Sequence, residues 1–256
     1  MYDFVGGFCL DAPESDEDFY QSALAFGRFQ EMLSQFPAET LYETIPEFHN
    51  TIYRYGTFRE TLAADPCGRA AGVQADIDFI LQREESAGVL QRMRESGELP
   101  LRVTHNDTKL NNVLLDKKTR KSLCVLDLDT VMPGIVHYDF GDAIRSSCNT
   151  AGEETRNLDE VHFNMDYFEA FTAGFMEKAK HLFTLKEKKT LAQGCMLMTY
   201  LQAVRFLTDY LDGDHYYPIT YPEHNLQRAK VQVRLLQDMD CLLYTSDAAD
   251  EGLGVD

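Results

Sequence analysis

One polar segment between apolar runs constrains this chain of 256 residues more than any other feature. The segment 105–112 reads HNDTKLNN, and the short apolar runs Leu101–Thr104 and Val113–Leu115 lie on either side of it. A basic turn follows, and after it comes a further apolar run, Leu123–Leu126. Apolar runs of this length between turn residues are typical of strands. The pattern therefore predicts a strand–loop–strand–turn–strand unit.

The spacing of polar side chains in this unit matches the catalytic-loop pattern of kinases. His105 and Asp107 are followed, after four residues, by Asn112, as in H-x-D-x-x-x-x-N. In that pattern the aspartate accepts the proton of the attacking hydroxyl and the asparagine holds Mg²⁺. Asp127 directly follows the last apolar run, and a hairpin would bring its carboxylate to the same ion. Lys109 is placed to balance charge on a transferring phosphoryl group.

Two other interpretations of the unit stay open. Asparagine and aspartate favour turns for their own reasons, so an ordinary turn is the first alternative. A metal-dependent phosphoesterase is the second, but it needs a further carboxylate cluster or a nucleophile beside the metal, and only Asp127 and Asp129 lie close together in sequence. The position of the polar segment between two predicted strands favours the kinase interpretation.

A literal D-F-G sequence occurs at Asp139–Gly141. In protein kinases the aspartate of this motif binds Mg²⁺. Here it follows Pro133-Gly134 and no clean strand, whereas Asp127 directly ends one. We therefore interpret Asp139 as a structural carboxylate that ties the loop together.

The segments HNDTKLNNVLLD, VLDLDTVMPG and YDFGDAIR resemble the aminoglycoside and choline kinase-like phosphotransferase family, and within it the N-acetylhexosamine 1-kinase branch. The resemblance extends from Met1 to about Met239 and is strongest from Leu101 to Arg145. It implies an α+β fold, the mostly helical large (C-terminal) lobe of a protein-kinase-like enzyme with a small catalytic β-hairpin region. It also implies ATP and Mg²⁺, and transfer of the γ-phosphate to a small-molecule hydroxyl.

The same resemblance implies an acceptor and a set of roles. The acceptor would be the anomeric hydroxyl of an N-acetylated hexosamine, with choline, ethanolamine, homoserine-like compounds and aminoglycosides as alternatives. Asp107 would be the base, Asn112 and Asp127 the metal ligands, and Asp139 the buried anchor of the catalytic loop. His105 and Asp129 are expected to support the site.

Residues 1–10 resemble the hinge strand of this family. Neither a G-x-G-x-x-G loop nor a V-A-I-K-like lysine occurs upstream of His105. We therefore expect the small lobe to be missing, which makes the chain by itself a candidate for an inactive fragment of an enzyme, and a non-catalytic, pseudokinase-like or truncated binding module is the alternative function. Residues 11–240 are expected to form the large lobe, with the catalytic loop at 104–112 and the metal-binding segment at 123–130. The tail 241–256 loses the family pattern and is expected to be disordered and non-native.

Apolar residues recur at spacings of three and four in several segments, which predicts amphipathic or buried helices. The predicted helices are Ser15–Phe36, Phe48–Ala64, Val73–Arg94, Asn164–His181, Lys186–Leu211 and Leu226–Met239. The segment Thr130–Ile144 is predicted to be loop-like, with a helix beginning near Asp139.

Three further residues are candidates for binding the acceptor. Asp142 and Arg145 lie four and seven residues beyond Tyr138, where a helix would bring them near the site; ion pairing between neighbours is the alternative. Arg205 lies inside an otherwise apolar helix, where an unpaired charge is costly. Its partner is expected to be a structural carboxylate, a site carboxylate or the substrate.

Composition limits the partners of the chain. The net charge of −18, from 42 acidic and 24 basic residues, argues against binding to nucleic acid or to an anionic membrane. It is compatible with a cationic substrate or with a solubilising surface. The six cysteines form no C-x-x-C pair, and neither a signal peptide nor a membrane-spanning run is predicted. These features are typical of a cytoplasmic protein.

Overall fold

The computed structural model describes residues 4–243, with side chains for residues 4–241. The α-helices are α1 (Asp16–Leu33), α2 (Thr51–Ala64), α3 (Gln74–Leu81), α4 (Glu84–Ala87), α5 (Val89–Glu95), α6 (Val136–Ser147), α7 (Met165–Ala179), α8 (Leu185–Asp212) and α9 (His224–Leu243). The strands are β1 (Arg102–Thr104), β2 (Val113–Leu115), β3 (Ser122–Val125) and β4 (Met132–Gly134).

Capping residues in the sequence define where the long helices begin. Ser15 accepts a hydrogen bond from the backbone nitrogen of Asp18 at 3.2 Å and caps α1, as its sequence predicts. Helix α8 begins with a capping box in which Thr184 and Glu187 satisfy each other's backbone nitrogens. It ends at Asp212, and the capping residue Gly213 has a φ of 109°. Glycine adopts this conformation readily because it has no Cβ.

Two predicted segments differ from the structure. The single helix predicted over Val73–Arg94 is divided into α3, α4 and α5. A break occurs at Gly88, a poor helix former, where the Arg92 guanidinium fills the space that a Cβ would need.

The predicted loop within Thr130–Ile144 is also partly wrong, because it contains strand β4 and because the helix expected near Asp139 begins earlier. Helix α6 begins at Val136, three residues before Asp139. Eleven of its twelve residues are buried. The polar residues Asp139, Asp142 and Arg145 recur every three residues along α6 and are buried by tertiary hydrogen bonds and an ion pair, which the sequence alone does not show.

The strands form two antiparallel pairs, β1 with β4 and β2 with β3. The β2–β3 hairpin agrees with the prediction, and its register pairs Val113 with Val125. Phe8, in the predicted hinge remnant, makes an isolated bridge to Leu115 through backbone hydrogen bonds of 3.0 and 2.8 Å. Residues 1–3 of that remnant lie outside the described residues.

Helix α6 lies at the centre of the fold. On one side it packs against an aromatic core that includes Phe140, Phe171 and Phe175. On the other side it crosses α8 so closely that a Cβ on Gly141 would lie 2.2 Å from the Gly194 carbonyl oxygen. A second hydrophobic core is formed mainly by residues of α2, α3, α8 and α9. Helix α6 is therefore held firmly between the aromatic core and α8.

Helix α9 continues to Leu243, beyond the predicted end at Met239, and residues 244–256 of the predicted tail lie outside the described residues. Within residues 4–243 no helix is long and apolar enough to cross a membrane.

Candidate active site

The loop between β1 and β2 is held by a buried carboxylate of α6. Asp139, which is 1% exposed, accepts hydrogen bonds from the backbone nitrogens of His105 (3.0 Å) and Asn106 (2.8 Å) and from Gln30 Nε2 (2.9 Å). Burial raises the pKa of Asp139 to about 6, and these donors oppose that rise. At neutral pH the carboxylate is therefore ionised and fixes the start of the loop.

Asp107 is oriented by two residues of its own loop. Asn112 Nδ2 donates to Asp107 Oδ2 at 3.0 Å, and Lys109 Nζ lies 3.0 Å from Asp107 Oδ1. The backbone nitrogen of Asp107 donates to His105 Nδ1 at 3.3 Å, while His105 Nε2 donates to the Leu126 carbonyl at 2.8 Å. The predicted catalytic residues Asp107 and Lys109 thus lie together, and His105 links the loop to the end of β3.

A chain of alternating charges extends from Asp107 into the protein. Asp142 accepts from the Thr108 backbone nitrogen at 3.0 Å and pairs with Arg145 at 2.9 Å, and Arg145 pairs with Glu153 at 2.6 Å. Burial would raise the pKa of Asp142, but Arg145 and Lys109 outweigh it and hold the pKa below its usual value. Asp142 and Arg145 therefore form the ion pair that we considered as the alternative to acceptor binding.

The residues predicted to bind metal, Asn112 and Asp127, lie at the same end of the β2–β3 hairpin. The Leu126 backbone nitrogen donates to the Asn112 carbonyl at 2.8 Å, which brings Asp127 next to Asn112. The exposed carboxylates of Asp127 and Asp129 make no hydrogen bond or ion pair with the described residues. Asp127 has a left-handed backbone, with φ of 55°. Its carboxylate is exposed to solvent, one residue beyond the backbone hydrogen bond to Asn112.

This donor set fits Mg²⁺. Within residues 4–241, no three His, Cys, Asp or Glu side chains form a metal cluster. Mg²⁺ is usually bound by one or two carboxylates together with substrate phosphates and water, so a full protein cage is not required. Asn112 uses its Nδ2 to hold Asp107, which leaves the amide oxygen as its ligand atom.

Arg205 has no ion-pair partner among the described residues, contrary to the expected structural ion pair. Its guanidinium carbon lies 5.2 Å from the centre of the Phe48 ring, 5.6 Å from Tyr216 and 5.4 Å from Tyr217. The guanidinium also donates a long hydrogen bond of 3.5 Å to Gln202. Aromatic faces stabilise a guanidinium electrostatically, which explains how the charge is accommodated.

The sequence did not reveal His49 as a neighbour of the catalytic loop. Its Nε2 donates to the Asn106 carbonyl at 3.2 Å, and its Nδ1 is buried without a hydrogen-bond partner among the described residues. Burial lowers the pKa of His49 to about 3, so the ring is neutral at pH 7. No local sequence pattern predicts the contact of His49 with Asn106, because the two residues are 57 positions apart.

A family profile and solved structures of other proteins match this chain. The profile of the phosphotransferase enzyme family APH matches residues 5–170, well over half of the chain. The chain therefore belongs to this family. Family membership establishes the class of enzyme and does not select the acceptor.

Two solved structures resemble the fold. The choline kinase from Cryptosporidium parvum matches 98% of this chain at 13% identity with a TM-score of 0.55, and the ethanolamine kinase from Plasmodium vivax matches 90% at 15% identity with a TM-score of 0.54. This chain covers 71% and 63% of their respective lengths. The predicted fold class, the helical large lobe of a protein-kinase-like fold, is confirmed.

Proposed function

We propose that the chain carries the catalytic machinery of an ATP- and Mg²⁺-dependent kinase that phosphorylates the anomeric hydroxyl of an N-acetylhexosamine. The observation that carries the proposal is the arrangement of Asp107, whose carboxylate is fixed by Asn112 and Lys109 on a loop anchored to Asp139. Family membership supports phosphoryl transfer. The acceptor comes from the resemblance to the N-acetylhexosamine 1-kinase branch.

The reaction is an in-line displacement in which the protein supplies position and charge. The acceptor hydroxyl is held by Asp107 and transfers its proton to that carboxylate as the oxygen–phosphorus bond forms. The bond between the γ-phosphorus and the bridging oxygen breaks, and ADP leaves. Lys109 offsets negative charge on the transferring group. Asn112 and Asp127 would hold Mg²⁺, which neutralises the phosphate oxygens when it is bound.

The carboxylates of Asp142 and of the proposed base, Asp107, keep Lys109 charged. Packing of the protein around the ammonium would lower the pKa of Lys109, but Asp107 and Asp142 outweigh this and raise it above its usual value. About half of the Lys109 side chain is exposed, so the ammonium is free to move from Asp107 to a phosphate when substrates bind. The substrate-binding roles of Asp142 and Arg145 are then indirect, through Lys109 and the loop.

An acceptor panel tests the proposal. The chain, and a longer form that includes the small lobe expected to precede it, are incubated with ATP, Mg²⁺ and, in turn, N-acetylglucosamine, N-acetylgalactosamine, choline, ethanolamine and an aminoglycoside, and the phosphorylated product is identified by ³¹P NMR. We expect a sugar 1-phosphate, and we expect Asp107→Asn to reduce turnover by a factor on the order of 10² to 10⁴ while ATP still binds. Unchanged turnover in Asp107→Asn would show that Asp107 is not the base.

A further inference from the structure

A carboxylate of the loop that follows α6 reaches the buried charges beside the catalytic loop. Glu153 Oε2 accepts hydrogen bonds from Arg145 Nη1 at 2.6 Å and from Gln232 Nε2 at 3.2 Å. The Arg145 side chain is 6% exposed, whereas that of Glu153 is 35% exposed. Glu153 therefore contacts the guanidinium from the surface, and its effect on the interior comes from this ion pair rather than from packing.

Arg145 is shared between two carboxylates. Its Nε and Nη2 donate to Asp142 Oδ1 at 3.2 and 2.9 Å, while its Nη1 donates to Glu153. A planar guanidinium that is bound along two edges has a defined orientation. Without Glu153, the hydrogen bonds of Arg145 within the described residues would all go to a single oxygen atom of Asp142, about which the guanidinium could rotate.

The second oxygen of Asp142 connects this ion pair to the catalytic loop. Asp142 Oδ2 accepts from the Thr108 backbone nitrogen at 3.0 Å, and the Thr108 hydroxyl donates to the Asp139 carbonyl at 2.6 Å. Thr108 lies between Asp107 and Lys109, whose carboxylate oxygen and ammonium nitrogen are 3.0 Å apart. A rotation of the Asp142 carboxylate would therefore displace Thr108 and alter the separation of the two charged groups on either side of it.

The adjacent carboxylate of the same loop has different contacts. Glu154 pairs with Arg228 at 2.7 Å and contacts the ring of His224, and both partners belong to α9. Neither contact involves Arg145. Glu154 thus fastens the loop to α9, while Glu153 connects it to the charges of the catalytic loop. The two residues therefore form a matched pair for separating the docking of the loop from its effect on the site.

We propose that Glu153 is a positioning residue for phosphoryl transfer. Acting through Arg145 and Asp142, it holds Thr108 in place. The separation between the proposed base and Lys109 depends on that contact. The inference rests on the proposed kinase function for the roles of these two groups, and it extends the site to a residue outside both the catalytic loop and α6.

Steady-state kinetics test the proposal in the form of the protein that transfers phosphate. Misplacement of reacting groups by about 1 Å can reduce a rate about a hundredfold. Because Glu153 acts through two other side chains, we expect kcat to fall about three- to tenfold in Glu153→Gln and further in Glu153→Ala. The KM values for ATP and the acceptor should stay within about twofold, because alignment changes and binding does not.

The control is Glu154→Gln, which makes the same change at the next residue and should leave kcat unchanged. Urea unfolding of both variants shows whether they lose comparable stability. Equal losses of kcat in Glu153→Gln and Glu154→Gln would overturn the inference, because the effect would then come from docking of the loop. An unchanged kcat in Glu153→Ala would overturn it as well.

Amide hydrogen exchange tests the same contact without an assay of activity. The Thr108 amide is protected while Asp142 accepts its hydrogen bond. In Glu153→Ala we expect this amide to exchange at least about tenfold faster relative to the Phe140 amide of α6, and in Glu154→Ala we expect the ratio to be unchanged. An unchanged ratio in Glu153→Ala would overturn the inference even if kcat fell.

The two measurements separate this inference from the proposed function. If neither the chain nor its longer form transfers phosphate to any acceptor, the kinase function is rejected, and exchange at Thr108 still decides whether Glu153 holds the loop. Normal transfer by Glu153→Ala, together with unchanged exchange at Thr108, rejects the positioning role alone.

Discussion

Asp139 accepts a hydrogen bond of 2.8 Å from the backbone nitrogen of Asn106, a residue with a left-handed φ of 66° immediately before the proposed base. The bond joins the catalytic loop to the first turn of α6 across 33 residues of sequence. The conformation of the loop is therefore set by a helix packed in the core rather than by the two short strands beside it.

Replacement of Asp139 by asparagine should loosen this loop. Both carboxylate oxygens accept hydrogen bonds, and the donors belong to His105, Asn106 and Gln30. In Asp139→Asn, one of these donors would face the new amide nitrogen, which creates a buried contact between two donors. We expect the variant to lower the free energy of unfolding by about 1–3 kcal/mol and to reduce turnover. Urea unfolding measures the first effect, with Asp159→Asn at an exposed site as control; equal loss in both variants would contradict the anchoring role.

Asp127 should govern the requirement for Mg²⁺. Asp127→Asn keeps a residue type that tolerates a left-handed backbone but removes the negative charge, so we expect the Mg²⁺ concentration for half-maximal turnover to rise at least about tenfold. Asp127→Ala should add a backbone cost of roughly 1–2 kcal/mol at φ of 55°. A metal titration and a thermal melt separate the two effects, and an unchanged metal requirement in both variants would exclude Asp127 as a ligand.

The crossing of α6 and α8 should not tolerate a methyl group. A Cβ on Gly141 would lie 2.2 Å from the Gly194 carbonyl oxygen, so we expect Gly141→Ala to force the helices apart and to destabilise the chain by about 1–3 kcal/mol. Gly56 in α2 provides the matched control, because nothing lies within 4 Å of its added Cβ. Gly56→Ala should stabilise the chain by about 0.5–1 kcal/mol. Chemical unfolding of both variants measures the difference, and equal effects would contradict the close crossing.

Stability should fall in acid partly because of two buried histidines. Burial lowers the pKa of His137 to about 4 and that of His49 to about 3, whereas a histidine in the unfolded chain titrates near 6.5. Above about pH 6.5 both histidines are neutral in the folded and in the unfolded chain, so they cause no loss of stability there. As the pH falls below it, the unfolded state binds more protons, and each histidine removes up to about 1.4 kcal/mol per pH unit until the folded pKa is reached.

A variant isolates this effect from other titrating groups. Asp139, with a raised pKa, works in the opposite direction between about pH 4 and 6, while Asp142, with a lowered pKa, adds to acid destabilisation. The difference between wild type and His137→Gln cancels both. We expect the variant to lose less stability between pH 6 and 4, by about 1.4 kcal/mol per pH unit. Parallel stability curves would show that the pKa of His137 is the same in the folded and unfolded states.

Local sequence was sufficient for part of the fold. The hairpin of β2 and β3 followed from apolar runs separated by a turn, and α1 followed from Ser15 and an apolar stripe. Helix α6 was expected only from near Asp139, because the Pro133-Gly134 sequence before it indicated a loop and the tertiary contacts that bury Asp139 leave no local signal. Strand β4 was missed because Pro133-Gly134 is usually a turn, whereas here it pairs with β1.

The proposed site divides in the same way. The spacing of Asp107, Lys109 and Asn112 is a local signal, and the structure brings these side chains into contact. Gln30 contacts Asp139 across 109 residues, and no pattern in one sequence connects such distant positions.

The left-handed backbone at Asp127 also limits which substitutions a homologue of this chain could accept at this position after it has lost catalytic activity. Aspartate, asparagine and glycine adopt that conformation at low cost, whereas most other side chains strain it. Drift would therefore settle on asparagine or glycine at this position, while the anchor at Asp139 persists because its hydrogen bonds also stabilise the fold. An inert paralogue is then expected to retain the buried carboxylate and to have lost only the one that faces solvent.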